Sequence, residues 1–146
     1  MSKFLSEAHL EPMWTSTGLP LYSRGGRRMY KVILFPTYQS DVAKQTFQGS
    51  VGFVTDLGSV PRIPLVYDAI GDIAIEPYII HDLLYSLQLV SRKMADDVLL
   101  EALEVVGISK WKRYQIYLGV RIGGSSSYNL DILPALKSGD SYGVTR

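Results

Sequence analysis

The chain has 146 residues, with 15 Lys and Arg against 14 Asp and Glu, for a formal net charge of +1. That length suits one domain whose core needs no covalent staple, and the balanced charge gives no general electrostatic case for nucleic acid or a membrane surface. Cysteine is absent, which excludes disulfides and thiolate metal sites. The N-terminal residues lack the apolar core of a secretory signal, and no stretch approaches the roughly 18–20 apolar residues of a membrane span.

Residues 1–18 are weakly patterned and read as an N-terminal arm. Phe4 and Leu5 suggest a short helix there, Trp14 an anchor against the body, and the isolated His9 a solvated side chain. Residues 19–62 form a β-rich part. Leu19 to Arg24 and Arg28 to Phe35 read as the two strands of a hairpin, with Gly25-Gly26 supplying a turn of positive φ. Arg24, Arg27 and Arg28 cluster at its tip, where a solvated charged end is the simpler account than an anion site. Residues 39–48 are polar and read as a loop or irregular strand. Ser50 to Thr55 reads as a third strand with Val51, Phe53 and Thr55 on one face, and Asp56 to Pro61 must then turn.

Residues 77–123 form a helical part. Pro77 suits the first turn of a helix that runs to about Leu89, and Glu76 suits its positive end. Ile80, Leu83, Leu84 and Leu87 give it a buried stripe. Ser91 is an N-cap for a second helix, which Gly107 stops. Its solvated face is marked by Asp97, Glu101 and Glu104, whereas Asp96 falls at the edge of the apolar stripe. Ser109 caps a third helix through about Ile122. This helix is basic, and a surface helix whose aromatic residues Trp111, Tyr114 and Tyr117 face the core is the simpler account, with a helix that faces a partner as the alternative. Residues 124–146 form a Ser- and Gly-rich tail. The expected architecture is a single α+β domain, a small antiparallel hairpin or sheet packed on a C-terminal three-helix unit.

Polar chemistry concentrates in two segments, Phe53-Val54-Thr55-Asp56-Leu57-Gly58-Ser59-Val60-Pro61-Arg62 and His81-Asp82-Leu83-Leu84-Tyr85, the latter followed by Ser91-Arg92 and Ala95-Asp96. His81 and Tyr85 are four apart and project from one helix face, with Asp82 about 100° around the axis. A helical His held by a carboxylate can aim its ring at a substrate or water. The candidate catalytic group is therefore His81, Asp96 and Tyr85. Asp82 and Asp56 are candidate ligands of a divalent cation, and Ser59, Arg62 and Arg92 complete the polar cluster. With one nearby His and no Cys, a closed zinc site is not expected.

In combination these motifs, spanning residues 50–122, resemble an uncharacterised family of small phage and prophage proteins, defined only as a domain of unknown function. Two details depart from its pattern. Gly58 stands where Ala is usual, and the aromatic residue after the Pro-Arg pair is replaced by Ile63-Pro64-Leu65. The resemblance implies a phage origin, a location in the virion or in the host cytoplasm during infection, and other phage proteins or further copies of the chain as partners. A second similarity concerns chemistry. His81-Asp82-x-x-Tyr85 with an Asp on the next helix is similar to the helix pair of calcium-dependent secreted-type phospholipases. It implies His81 as general base, Asp82 as a calcium ligand, and Tyr85 and Asp96 as partners of the imidazole. The Gly-rich calcium loop of those enzymes has no counterpart in Tyr67 to Asp72.

Two functions follow as expectations. One is a hydrolase using the His-Asp site on a lipid or cell-envelope substrate, with calcium or another divalent cation. The alternative is a structural virion component of the tail, baseplate or capsid, in which the same residues form a packing network. Nucleic-acid binding through the Arg cluster and the basic third helix is not expected, because no binding motif accompanies them.

Overall fold

The structure is a computed structural model and describes residues 1–23, 26–57, 75–125 and 128. Among these residues six short strands precede three helices: β1 (Lys3–Phe4), β2 (His9–Pro12), β3 (Tyr30–Leu34), β4 (Tyr38–Ser40), β5 (Gln45–Phe47), β6 (Val54–Thr55), α1 (Glu76–Leu87), α2 (Arg92–Val105) and α3 (Lys110–Gly123). The strands form two three-stranded antiparallel sheets, ordered β1-β4-β5 and β2-β3-β6. The chain is α+β.

The helices follow their local signals. Pro77 lies in the first turn of α1, and Gln88 ends the helix in a left-handed conformation. The Ser91 side chain accepts from the Met94 amide to cap α2. Gly107, at φ +84°, carries the chain out of α2, a conformation in which only glycine is unstrained. Helix α1 is buried on most of its surface, at Pro77, Tyr78, Ile79, Ile80 and His81 and again at Leu83, Leu84 and Tyr85, which marks it as the central helix. Its Ile79, Ile80, Leu83 and Leu84 pack with Phe35, Tyr38, Phe47 and Phe53 from the sheets and with Ala95, Val98 and Ala102 of α2. A second apolar cluster, Tyr78, Leu99, Leu103, Ile108, Ile116 and Val120, joins the three helices.

The β part departs from the sequence expectation. The N-terminal residues enter both sheets: β1 pairs with β4, placing Phe4 opposite Tyr38, and β2 pairs with β3. Thus β3 takes His9–Pro12 as its ladder partner, while Leu19 to Ser23 makes only isolated bridges, Trp14 to Pro20 and Tyr22 to Arg28. Pro20 has no N–H to give a continuous ladder. Of the two readings of residues 39–48, loop or irregular strand, the strand holds: β4 and β5 pair as a hairpin over residues 38–47. Val51 is exposed and Phe53 buried, because the turn at Gly52 (φ +96°) breaks the alternation before β6 begins. Nor is the Arg tip simply solvated: Arg27 donates to the Leu57 carbonyl at 3.0 Å, and the Arg28 guanidinium stacks on Trp14 at 4.4 Å. Arg24 and Gly25 lie outside the described residues.

Glu101, expected on the solvated face of α2, is a polar link between that helix and a sheet. Its carboxylate accepts from Ser2 Oγ (2.7 Å), Tyr38 Oη (2.9 Å), Ser40 Oγ (2.7 Å) and the Val42 amide (2.9 Å). Tyr38 and Ser40 are buried, so removing the acceptor strands two hydroxyls, each at a cost of about 1–3 kcal/mol. Glu101→Ala is therefore expected to destabilise the fold by about 3 kcal/mol, read as a lower denaturant midpoint. A change below a few tenths of a kcal/mol would show that the link carries no stability.

Candidate functional site

Helices α1 and α2 pack against each other, and His81, Tyr85 and Asp96 come from their facing surfaces. His81 lies one turn before Tyr85 on α1, with ring centroids 4.1 Å apart. His81 Nε2 is 2.9 Å from Asp96 Oδ1, and Tyr85 Oη donates to the same oxygen at 2.5 Å. Arg121 Nη1, from α3, donates to Asp96 Oδ2 at 2.7 Å. The expected His81–Asp96–Tyr85 group is thus assembled, with an arginine that the sequence reading did not place there.

Asp96 is 0 % exposed and His81 1 %. Burial alone would push the Asp96 carboxyl up, but the bonds from His81, Tyr85 and Arg121 outweigh it and hold the group below the usual carboxylate range. An ionised carboxylate only accepts hydrogen bonds, so the His81 Nε2 carries a proton. The Tyr85 hydroxyl is pushed up, first by burial and then by its bond to Asp96. Arg121 is raised by the same carboxylate.

Arg92 extends the cluster. Its Nη2 donates to the carbonyls of Val120, at 3.2 Å, and Arg121 at the end of α3, where the Val120 carbonyl also accepts the Gly124 amide at 2.8 Å. Its charge also favours ionisation of the Tyr85 hydroxyl, partly offsetting the rise. A Cβ on Gly124 would lie 2.7 Å from that hydroxyl, so the chain leaving α3 passes directly over Tyr85. Beyond it, the Tyr128 ring meets Tyr85 edge-on at 5.2 Å, and its hydroxyl donates to the Val90 carbonyl at 2.9 Å.

The candidate metal ligands lie elsewhere. Asp82, around the helix from His81, accepts from Thr55 Oγ1 at the end of β6. That hydroxyl oxygen also accepts from the Leu57 amide at 2.9 Å, so Thr55 caps the start of the turn that follows β6. Asp56 is half-buried in this turn. Leu57 takes φ +52°, a strained conformation for a branched residue. Among the described residues no group of three or more His, Cys, Asp or Glu is placed to hold a metal ion. Ser59 and Arg62 lie outside the described residues.

Residues 32–120, more than half of the chain, match the family described as protein of unknown function (DUF1353). The protein belongs to that family. The match begins at β3 and so takes in the β4–β5 hairpin ahead of the motifs that carried the sequence resemblance. No curated protein and no solved structure matches the chain.

Removing one member of a buried ion pair typically costs about 3–5 kcal/mol. Asp96→Asn is therefore expected to lower stability at neutral pH by about 3 kcal/mol. The folded pKa of Asp96 is depressed. Its contribution is thus complete above the ordinary carboxyl value of about 4 and disappears as pH falls through the folded value. The gap between wild type and Asp96→Asn should narrow over that acid range in chemical denaturation. A gap independent of pH would mean that Asp96 is not held ionised.

Proposed function

We propose that this protein is a structural component of a phage particle, associated with tail, baseplate or capsid, in which His81, Tyr85, Asp96, Arg92 and Arg121 form an internal packing network. One observation carries this reading. The carboxylate at the centre of the cluster is fully buried and takes donors from both of its neighbouring helices. A network satisfied in this way specifies one packing of the helices, which suits a subunit that must present a fixed surface to other phage proteins or to copies of itself. The phage assignment rests on the motif resemblance, and the virion or the infected host cell is the corresponding location.

A second reading, a hydrolase acting on a lipid or cell-envelope substrate, is favoured by the 2.9 Å His81–Asp96 bond, which is the geometry of an oriented general base. Calcium or another divalent cation at Asp82 and Asp56 would supply the charge that stabilises an oxyanion.

Quantitative mass spectrometry of purified particles separates the two. The structural reading expects a fixed copy number that matches particle symmetry. Absence from particles together with abundance in infected cells would overturn it. His81→Ala gives a second readout. On the structural reading it lowers stability by about 2–4 kcal/mol through the cavity and the unpaired Asp96, and no turnover exists to be lost. On the hydrolase reading it abolishes hydrolysis of phospholipid or cell-wall substrates, measured with and without calcium.

A further inference from the structure

Of the aromatic residues of α3, Tyr117 is half-buried and donates to Asp97 of α2 at 2.9 Å, whereas Trp111 and Tyr114 face outward. The buried residues of α3 are Ile116 and Val120. Trp111, Tyr114, Leu118 and Ile122 follow the i, i+3, i+7, i+11 spacing of a single helix face on the opposite side. That face is open, with Trp111 73 %, Leu118 55 % and Ile122 82 % exposed. A Cβ added at Gly119, beside the stripe, would meet nothing within 4 Å.

Charge is segregated with it. The α3 sequence contains Lys110, Lys112, Arg113 and Arg121 and no carboxylate. Arg113 is engaged by Glu104 and Arg121 by Asp96. Lys110 and Lys112 enter no ion pair among the described residues. As the neighbours of Trp111 they lie about 100° to either side of the stripe. The near-zero net charge of the chain therefore conceals an apolar face bordered by two lysines that form no ion pair among the described residues.

We propose that the outer face of α3 docks on an anionic phospholipid surface, with Trp111, Leu118 and Ile122 entering the headgroup–acyl boundary and Lys110 and Lys112 meeting phosphates. Exposed Trp and Tyr suit that boundary, where the ring is apolar and its polar edge stays wet, and a cationic rim selects anionic lipid. Size argues against a protein partner. A stripe about 16 Å long and about 10 Å wide is far short of the ~800 Å² that each side of a stable protein interface contributes, whereas a bilayer needs no matching shape. A second copy would set these lysines against each other or beside Arg121, a like-charge arrangement. The proposal holds for either reading of the protein's function.

The test uses the full chain with Trp14→Phe, so that Trp111 is the sole fluorescent indole and Arg28 retains an aromatic ring beneath it. The probes are vesicles of phosphatidylcholine with and without phosphatidylglycerol. Binding to the anionic vesicles should shift Trp111 emission to the blue and carry the protein upward in flotation. Lys110→Glu with Lys112→Glu should weaken that binding about tenfold or more. Leu118→Glu with Ile122→Glu should abolish it, with unchanged circular dichroism because both positions are exposed. Absence of a shift and of flotation in the wild-type background would overturn the proposal. So would undiminished flotation of the Leu118→Glu, Ile122→Glu variant. Self-association in sedimentation velocity that this variant dissolves would assign the face to a second copy and overturn it as well.

Discussion

A carboxylate taken out of water must be given back the hydrogen bonds it loses, and Asp96 fixes the positions of its helical neighbours through that requirement. Its two oxygens accept from an imidazole and a phenol on α1 and a guanidinium on α3. Each donor has one reach and one direction, so the relative rotation and height of α1, α2 and α3 are determined together. Apolar packing alone would allow the helices to slide by a turn with little loss. A buried charge penalises such slippage, because a displaced donor leaves it uncompensated. Arg92 works from the opposite direction by holding the carbonyl end of α3, so two residues of α2 grip the same terminus.

The same principle recurs at lower cost on the far side of α2. Glu101 is half-buried and gathers donors from β1's flank, β4 and the start of the following turn. One helix thus carries two polar links: Asp96 faces the helices, and Glu101, little more than a turn further on, faces the sheet of β1, β4 and β5. Between and beside them the apolar side chains Val98, Ala102 and Leu103 are buried, which places α2 at the junction of the two apolar clusters.

The helices and most of the candidate site were legible because their signals are local. Ser91, Pro77 and Gly107 act within a turn of their own position, and the four-residue step from His81 to Tyr85 decides by itself that they share a face. Of the strands, β3 and β6 fall inside the segments 28–35 and 50–55 that read as strands, whereas β1, β2, β4 and β5 are two to four residues long and too short for alternation to accumulate. Their partners lie at distances that no pattern encodes: His9 pairs with Leu34 and Lys3 with Gln39. Arg121 escaped notice for a related reason, being 25 residues from Asp96 and looking like one more cation on a basic helix. The orientation of α3 was misread because aromatic residues usually mark the inner face. Here the fully buried residues of the inner face are Ile116 and Val120, with Tyr117 and Arg121 bonded to α2 beside them, and nothing local distinguishes a stripe meant for the core from one left outside.

The bond from Ser2 to Glu101 spans 99 positions, and its partner atoms on β4 and the turn after it are themselves about 60 positions from Glu101. The first residues of the chain are therefore the clasp of a large loop. Closing a loop of that size costs entropy that only contacts made afterwards return, whereas the contacts among α1, α2 and α3 join near neighbours in sequence. The topology thereby sets two scales of contact side by side: short-range contacts hold the helical unit, and long-range ones tie the chain's opening residues to it.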